Sequence, residues 1–225
     1  MWNEAEPFQR QILKVHARKS KDNHFNTVGA MSNLAFILMR AGKVQEAEDI
    51  GQQVLNAQRE IFGSSHPDTI IAMENLTTIL RKARKVQEAE DFGKQVLKAQ
   101  TKLFGSDHPE TIIATENLTI TLREAGKLQE AENFQQQVLN AWTESFGSSH
   151  PHTIRAMRNL ARISRDTGML QEAENFQQQV LNAQIEAFES SHPDIIRAME
   201  NLAITLRQAQ KLEEAEKFGQ QVLKV

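Results

Sequence analysis

Residues 66–107 read "HPDTIIAMENLTTILRKARKVQEAEDFGKQVLKAQTKLFGSD", and a near copy begins as soon as they end. "HPET" opens at 108, "HPHT" at 150 and "HPDI" at 192, each 42 residues after the last. "HFNT" at 24 is a degenerate earlier copy with Phe25 in place of proline. The run "QEAENFQQQVLNA" is identical at 129–141 and 171–183. Repetition at one fixed period means stacked supersecondary units, none of which buries its apolar face alone.

Each unit reads as two helices. In 68–83, Ile70, Met73, Leu76, Ile79 and Leu80 recur at helical spacing. Proline in the first turn costs nothing, because that N–H would be unpaired anyway. Gly42, Gly126 and Gly168 punctuate the turn to the second helix, and Arg84 and Gln210 replace that glycine at some strain. The second helix, 86–104 in this copy, is expected to bury Ala89, Phe92, Val96, Leu97 and Phe104. Gly63, Gly105 and Gly147 suit a left-handed cap at its end, and Glu189 breaks that pattern. The opening "WNEAEPFQRQIL" aligns with "VQEAEDIGQQVL" at 44–55. The expected organisation is therefore an orphan second helix of a truncated repeat over 1–23, then repeats at 24–65, 66–107, 108–149, 150–191 and 192–225, the last truncated. That makes eleven helices in one all-α solenoid domain of stacked antiparallel pairs, and its ragged ends suggest a piece of a longer array.

Composition narrows the function. There is no Cys, which excludes a disulfide framework, a thiolate metal site and a cysteine nucleophile. There is no Tyr, which removes one common general acid. No apolar run approaches a transmembrane span, and the N-terminus lacks a signal-peptide layout, so a cytoplasmic protein is expected. The net charge of -3 argues against nucleic acid as the main partner.

Propeller blades of similar length need short strands and a Trp-Asp signature, both missing here. Met73, Leu76, Thr77 and Leu80 stand where the tetratricopeptide motif has its Trp, Leu, Gly and Tyr. An alanine opens every second helix (Ala47, Ala89, Ala131, Ala173, Ala215), with Ile50, Phe92, Phe134, Phe176 and Phe218 three residues later. With "HPDT", "EAE" and a longer second helix, the chain resembles the tetratricopeptide variant of kinesin light chains, also found in fungal and bacterial NTPase-type signalling proteins. The resemblance implies a right-handed superhelix whose first helices line a concave peptide groove.

On that implied groove, two rows stand out. Arg155, Arg158, Arg162 and Arg165 fall within an arc of roughly 80° on one first helix. Arg158 has Glu116 and Glu200 in register, which favours a structural ion pair. Arg165 continues a column of like charge, Arg81, Arg123 and Arg207, and Arg155 has Arg197 beside it. Pairing of Arg155 or Arg162 with Glu132 or Glu174 stands as the alternative to an anion site. Asn33, Asn75, Asn117, Asn159 and Asn201 form the second row. Their carboxamides suit either a peptide main chain or the adjacent repeat.

Other motifs are discounted. His66, His108, His150 and His192 sit a repeat apart, too far to share a metal, and are expected to cap the helix before proline. "HPH" at 150–152 is too lone a pair for zinc. "NLT" at 75 and 117 matches a glycosylation acceptor but falls mid-helix. "EAE" reads as a charge bias at the helix start, not a catalytic dyad. Ser164 replaces a leucine found at 38, 80, 122 and 206, and is expected to bond back to the carbonyl one turn earlier. No catalytic residue, metal site or cofactor is expected. The reading is a scaffold that binds an acidic or carboxylate-terminated peptide segment. A self-associating module that packs through its ends as a homo-oligomer is the alternative, and a single-stranded nucleic acid groove is a weaker third.

Overall fold

A computed structural model describes residues 2–18, 24–188 and 192–222. Every regular element in it is an α-helix: α1 (Trp2–Arg18), α2 (His24–Arg40), α3 (Val44–Phe62), α4 (Pro67–Lys82), α5 (Val86–Phe104), α6 (Pro109–Glu124), α7 (Leu128–Phe146), α8 (Pro151–Asp166), α9 (Leu170–Ala187), α10 (Pro193–Gln208) and α11 (Leu212–Val222). Consecutive helices pack on one another in two compact units, Met1–Ala125 and Gly126–Val225.

The core follows the apolar spacing. Ile70, Met73, Leu76, Ile79 and Leu80 of α4 are each at most 3% exposed, and the opening alanines of the second helices at most 1%. In the first unit Val28, Val54, Met73, Leu76, Val96 and Ala114 share one cluster, which therefore runs across α2 to α6. In the second unit Met157, Val180, Leu181, Leu202 and Ala215 do the same across α8 to α11. Phe104 departs from expectation: it is 45% exposed and stacks on His108, ring centroids 4.6 Å apart. It covers the helix junction rather than filling the core.

That junction explains most of the repeated "HPxT". His66, His108, His150 and His192 each accept a hydrogen bond at Nδ1 from the backbone N–H two residues on, at 3.2–3.3 Å. They cap the helix, as their position before proline implies. Each also stacks on the phenylalanine four residues earlier, Phe62, Phe104, Phe146 or Phe188. The threonine ties the junction shut: Thr69 and Thr153 donate to the carbonyls of Gly63 and Gly147, both at 2.8 Å.

The glycine caps differ from the left-handed form. Gly63, Gly105 and Gly147 have φ of 82 to 89° but ψ of 168 to 172°, a region essentially closed to residues with a Cβ. Glu189, which breaks this pattern, lies outside the described residues; the preceding Phe188 is extended, with φ -135°. Arg84 and Gln210 do sit at positive φ, 62° and 61°, where Gly42, Gly126 and Gly168 also have positive φ. Gly105→Ala is expected to destabilise the chain by about 1–3 kcal/mol. Arg84→Gly relieves left-handed strain worth about 1–2 kcal/mol, less the entropy glycine adds to the unfolded chain. Thermal melts of both variants should therefore shift in opposite directions.

Candidate functional site

The arginine-bearing helix α8 is amphipathic because its apolar residues and its arginines lie on different arcs. Ile154, Met157, Leu160 and Ala161 are at most 5% exposed. Arg155, Arg158, Asn159, Arg162 and Arg165 of α8 line a cavity of about 240 Å³ together with Gln177 and Val180 of α9, and Ala198 and Asn201 of α10 contribute to the same wall. None of these lining residues is acidic. The four cations expected on one side of a helix thus converge on one space.

Their individual settings differ. Arg158 does not pair with Glu200. With the Gln184 carboxamide oriented to satisfy both its neighbours, Oε1 accepts from Arg158 Nη2 at 2.5 Å and Nε2 donates to the Asp194 carbonyl at 2.7 Å. Burial, with Arg197 nearby, holds the Arg158 guanidinium below the ordinary arginine value, and Asp194 opposes that only in part. Arg162 Nη2 donates to Asn159 Oδ1 at 3.3 Å. Arg197 is ion-paired with Asp194 on its own helix. Gln177 is only 6% exposed, and its Oε1 has no hydrogen-bond partner. Glu174, one acid that stood as an alternative partner for the arginines, is taken by Lys211.

The same three-helix pocket recurs in register. Between α2, α3 and α4 it holds Val54, Ala72 and Asn75 where the basic pocket holds Val180, Ala198 and Asn201. Its lip differs: Ser32, Phe36 and Met39 stand in place of Arg158, Arg162 and Arg165, around about 160 Å³. Between α4, α5 and α6 only about 20 Å³ remains. There Gly93 brings the helices so close that a Cβ would lie 3.1 Å from Leu118 Cδ1. Glu74 stands at the Arg158 position and Arg81 at the Arg165 position. Arg81 is not a bare charge, since it grips Glu124 with two hydrogen bonds of 2.8 and 2.9 Å. Between α10 and α11, Glu200, Ile204 and Arg207 occupy the lip. The frame is constant and the lip is not.

The asparagines follow the pockets: Asn75, Asn117, Asn159 and Asn201 each line one. Asn33, Asn75 and Asn117 are exposed, Asn159 and Asn201 half-buried. Among the described residues, the side chains of Asn33, Asn75, Asn117 and Asn201 make no hydrogen bond to a neighbouring repeat. No group of acids and histidines suited to a metal ion occurs among the described residues, and none of their helices is long and apolar enough to cross a membrane. Sequence reasoning missed the floor of the pocket, although a valine in every second helix from α3 onward (Val54, Val96, Val138, Val180, Val222) was a visible signal.

The tetratricopeptide repeat model matches residues 26–102, 79–142, 120–186 and 159–225. The chain belongs to the tetratricopeptide repeat family. Among solved structures, the nearly identical kinesin light chain TPR-like repeats of Podosopora anserina are similar at 27% identity and a TM-score of 0.80, over 88% of this chain and 93% of that one. BtubC (BKLC) from P. vanneervenii is similar at 14% identity and a TM-score of 0.81, over 99% and 90%. NprR in complex with its cognate peptide NprX is similar at 15% identity and a TM-score of 0.67, over all of this chain and 62% of NprR. No curated protein sequence is significantly similar to the chain.

In this tetratricopeptide chain the discounted motifs have structural work. The second glutamate of "EAE" bridges repeats: Lys43 binds Glu6 at 2.8 Å, Lys85 binds Glu48 at 2.5 Å and Lys211 binds Glu174 at 2.7 Å. Exposed Met169 replaces the lysine in the fourth repeat. His152 of "HPH" stacks on buried Trp142 at 4.6 Å. Ser164 does not bond back to its own helix; its hydroxyl donates to Glu172 Oε2 at 3.2 Å, a partner no leucine could use.

The Arg81–Glu124 pair gives a pH signature. Hydrogen bonding to Arg81 holds the Glu124 carboxyl below its ordinary value of 4.5. A depressed carboxyl stabilises the fold above its unfolded value and loses that contribution as pH falls through its folded one. Urea denaturation of wild type and Arg81→Gln should differ by at most about 1 kcal/mol at neutral pH and converge in acid. A gap that persists below about pH 2, well under the usual glutamate range, would show that packing, not charge, is what Arg81 supplies.

Proposed function

We propose that the chain is a protein-interaction scaffold and that the α8–α9–α10 pocket receives an acidic side chain or terminal carboxylate of an extended peptide. The convergence of four arginines on a cavity with no acidic lining residue carries this reading. Stacked repeats leave a continuous surface that need not be buried, and a guanidinium matches a carboxylate through paired N–H donors. The asparagines serve the peptide main chain, each offering one acceptor and two donors without regard to side-chain sequence. The similar fold of NprR, solved with its peptide NprX, supports a peptide as the class of ligand. Binding of acidic peptides should weaken with added salt, because exposed charge pairs are screened within about 10 Å at 0.1 M. Arg165→Glu should lower affinity at least about tenfold, since it replaces attraction by repulsion, with helical circular dichroism retained. Isothermal titration of a panel of acidic peptides checks both; equal binding to wild type and variant rejects the site.

A second reading, self-association, draws on exposed apolar residues of the outer helices: Phe8 and Ile12 on α1, Ile204 on α10 and Leu212 on α11. Light scattering over a wide concentration range should then show dimers lost in a Phe8→Ser, Leu212→Ser double variant. A monomer at every concentration removes this reading and leaves the first intact.

A further inference from the structure

We propose that the apolar pocket between α2, α3 and α4 receives one large apolar side chain of the partner peptide, and that the closed pocket beside it demands a small residue about three positions away. The inference rests on the peptide-binding reading above and adds to it what the first unit selects. Its first support is the chemistry of the open pocket. Ala35, Phe36 and Met39 of α2, Val54 of α3, and Ala72 and Ile79 of α4 line about 160 Å³, and no charged residue joins them. The two hydroxyls in the wall are already used. Ser32 donates to the Val28 carbonyl at 3.1 Å and Thr78 to the Glu74 carbonyl at 3.2 Å, each on its own helix. An apolar group buried here strands no polar partner, whereas a charged one gives up its water for the Asn75 carboxamide alone.

Size and the flanking amides decide the occupant. An apolar cavity of about 150 Å³ holds one benzene ring, so this one holds a single side chain of leucine to phenylalanine size and not the face of a helix. Asn33, Asn75 and Asn117 are exposed on α2, α4 and α6, and among the described residues their carboxamides make no hydrogen bond. A carboxamide offers both donor and acceptor, and a peptide unit answers with one of each. A hydrocarbon tail or a free apolar molecule has neither. An apolar side chain with main-chain amides on both sides fits this combination.

The neighbouring pocket, between α4, α5 and α6, is shut. Only about 20 Å³ remains, room for roughly one water-sized group, because a Cβ on Gly93 would already lie 3.1 Å from Leu118 Cδ1. Its two charged lip residues are held in place, Glu74 by Gln100 at 3.3 Å and Arg81 by Glu124. A bulky side chain arriving here lifts the main chain away from Asn117. Helices that share a pocket stand about 8–10 Å apart, so the two pockets are spaced by about that distance. A polyproline II segment advances about 9 Å in each three-residue turn and returns a side chain to the same face. The selected pattern is therefore one large apolar residue with a glycine or alanine about three positions from it.

The test uses the whole chain and a displayed library of random peptides. Selected sequences should share a leucine, isoleucine, methionine or phenylalanine with a glycine or alanine about three positions before or after it. In fluorescence anisotropy, replacing that apolar residue by glutamine should weaken binding about tenfold or more. Enlarging the small residue to leucine should cost about as much. Ser32→Phe fills the pocket and Phe36→Ser removes part of its wall. Each, with unchanged circular dichroism, should weaken the parent peptide and erase most of the glutamine penalty, whereas Arg165→Glu should leave that penalty as it is in wild type. Peptides that bind without an apolar residue, or whose glutamine versions bind equally well, overturn the proposal; the acidic-peptide reading still stands if Arg165→Glu weakens them. Free acceptance of leucine at the small position also overturns it. No binding from the whole library overturns both readings. Dimerisation of the wild type that Ser32→Phe abolishes makes a second copy the occupant and overturns the proposal likewise.

Discussion

The fold depends on a close approach that only a small side chain permits. Ala47, Ala89, Ala131 and Ala173 are fully buried, and Ala215 is 1% exposed. Ala47 shares a cluster with Leu34 and Leu38 of α2 and Ile79 of α4, so three helices meet where it sits. Any added methylene there must displace neighbours in a packed interior, at a cost of about 1–3 kcal/mol. Because the alanine recurs once per period, the helices within each unit stack with a repeating offset, and that offset brings equivalent residues to equivalent pockets.

From that constraint follows a division of labour along each helix. Core positions are apolar in most copies, with Ser164 in place of a leucine and Thr115 in place of a methionine among the exceptions, and the junction is held by histidine stacking, the threonine tie and glycine caps. Lysine–glutamate pairs join successive second helices at the rim; most are partly exposed and contribute modestly. The pocket lip belongs to none of these sets. Ser32, Glu74, Arg158 and Glu200 are in register yet range from a hydroxyl through carboxylates to a guanidinium, so the fixed frame leaves the chemistry of the lip free to vary. The basic pocket is one setting of that lip, the apolar pocket another.

Several details were beyond a linear reading because their partners lie outside the helix concerned. Phe104 has the spacing of a core residue, yet its ring is needed against His108 four residues later. Ser164 finds Glu172 on the following helix, across a turn whose geometry no helical wheel includes. The glycines after α3, α5 and α7 require positive φ, as expected, but their ψ depends on where the chain must go next. The arginine column in register with Arg165 looked uniform, but Arg81 is held in an ion pair by Glu124 of α6.

The sequence by itself determined the period, the number and order of the helices, their buried faces and the capping role of the histidines. These depend on local propensity and on apolar spacing within a single helix, and repetition makes each signal legible several times over. Tertiary structure alone decided that Gln177 and Val180 wall the arginine cavity. It also decided that Gln184 rather than Glu200 holds Arg158, and that Gly93 nearly closes the equivalent pocket. Those outcomes are set by distances between helices, and register identifies which residues are neighbours without saying how far apart the backbones stand or which partner a charged group meets first.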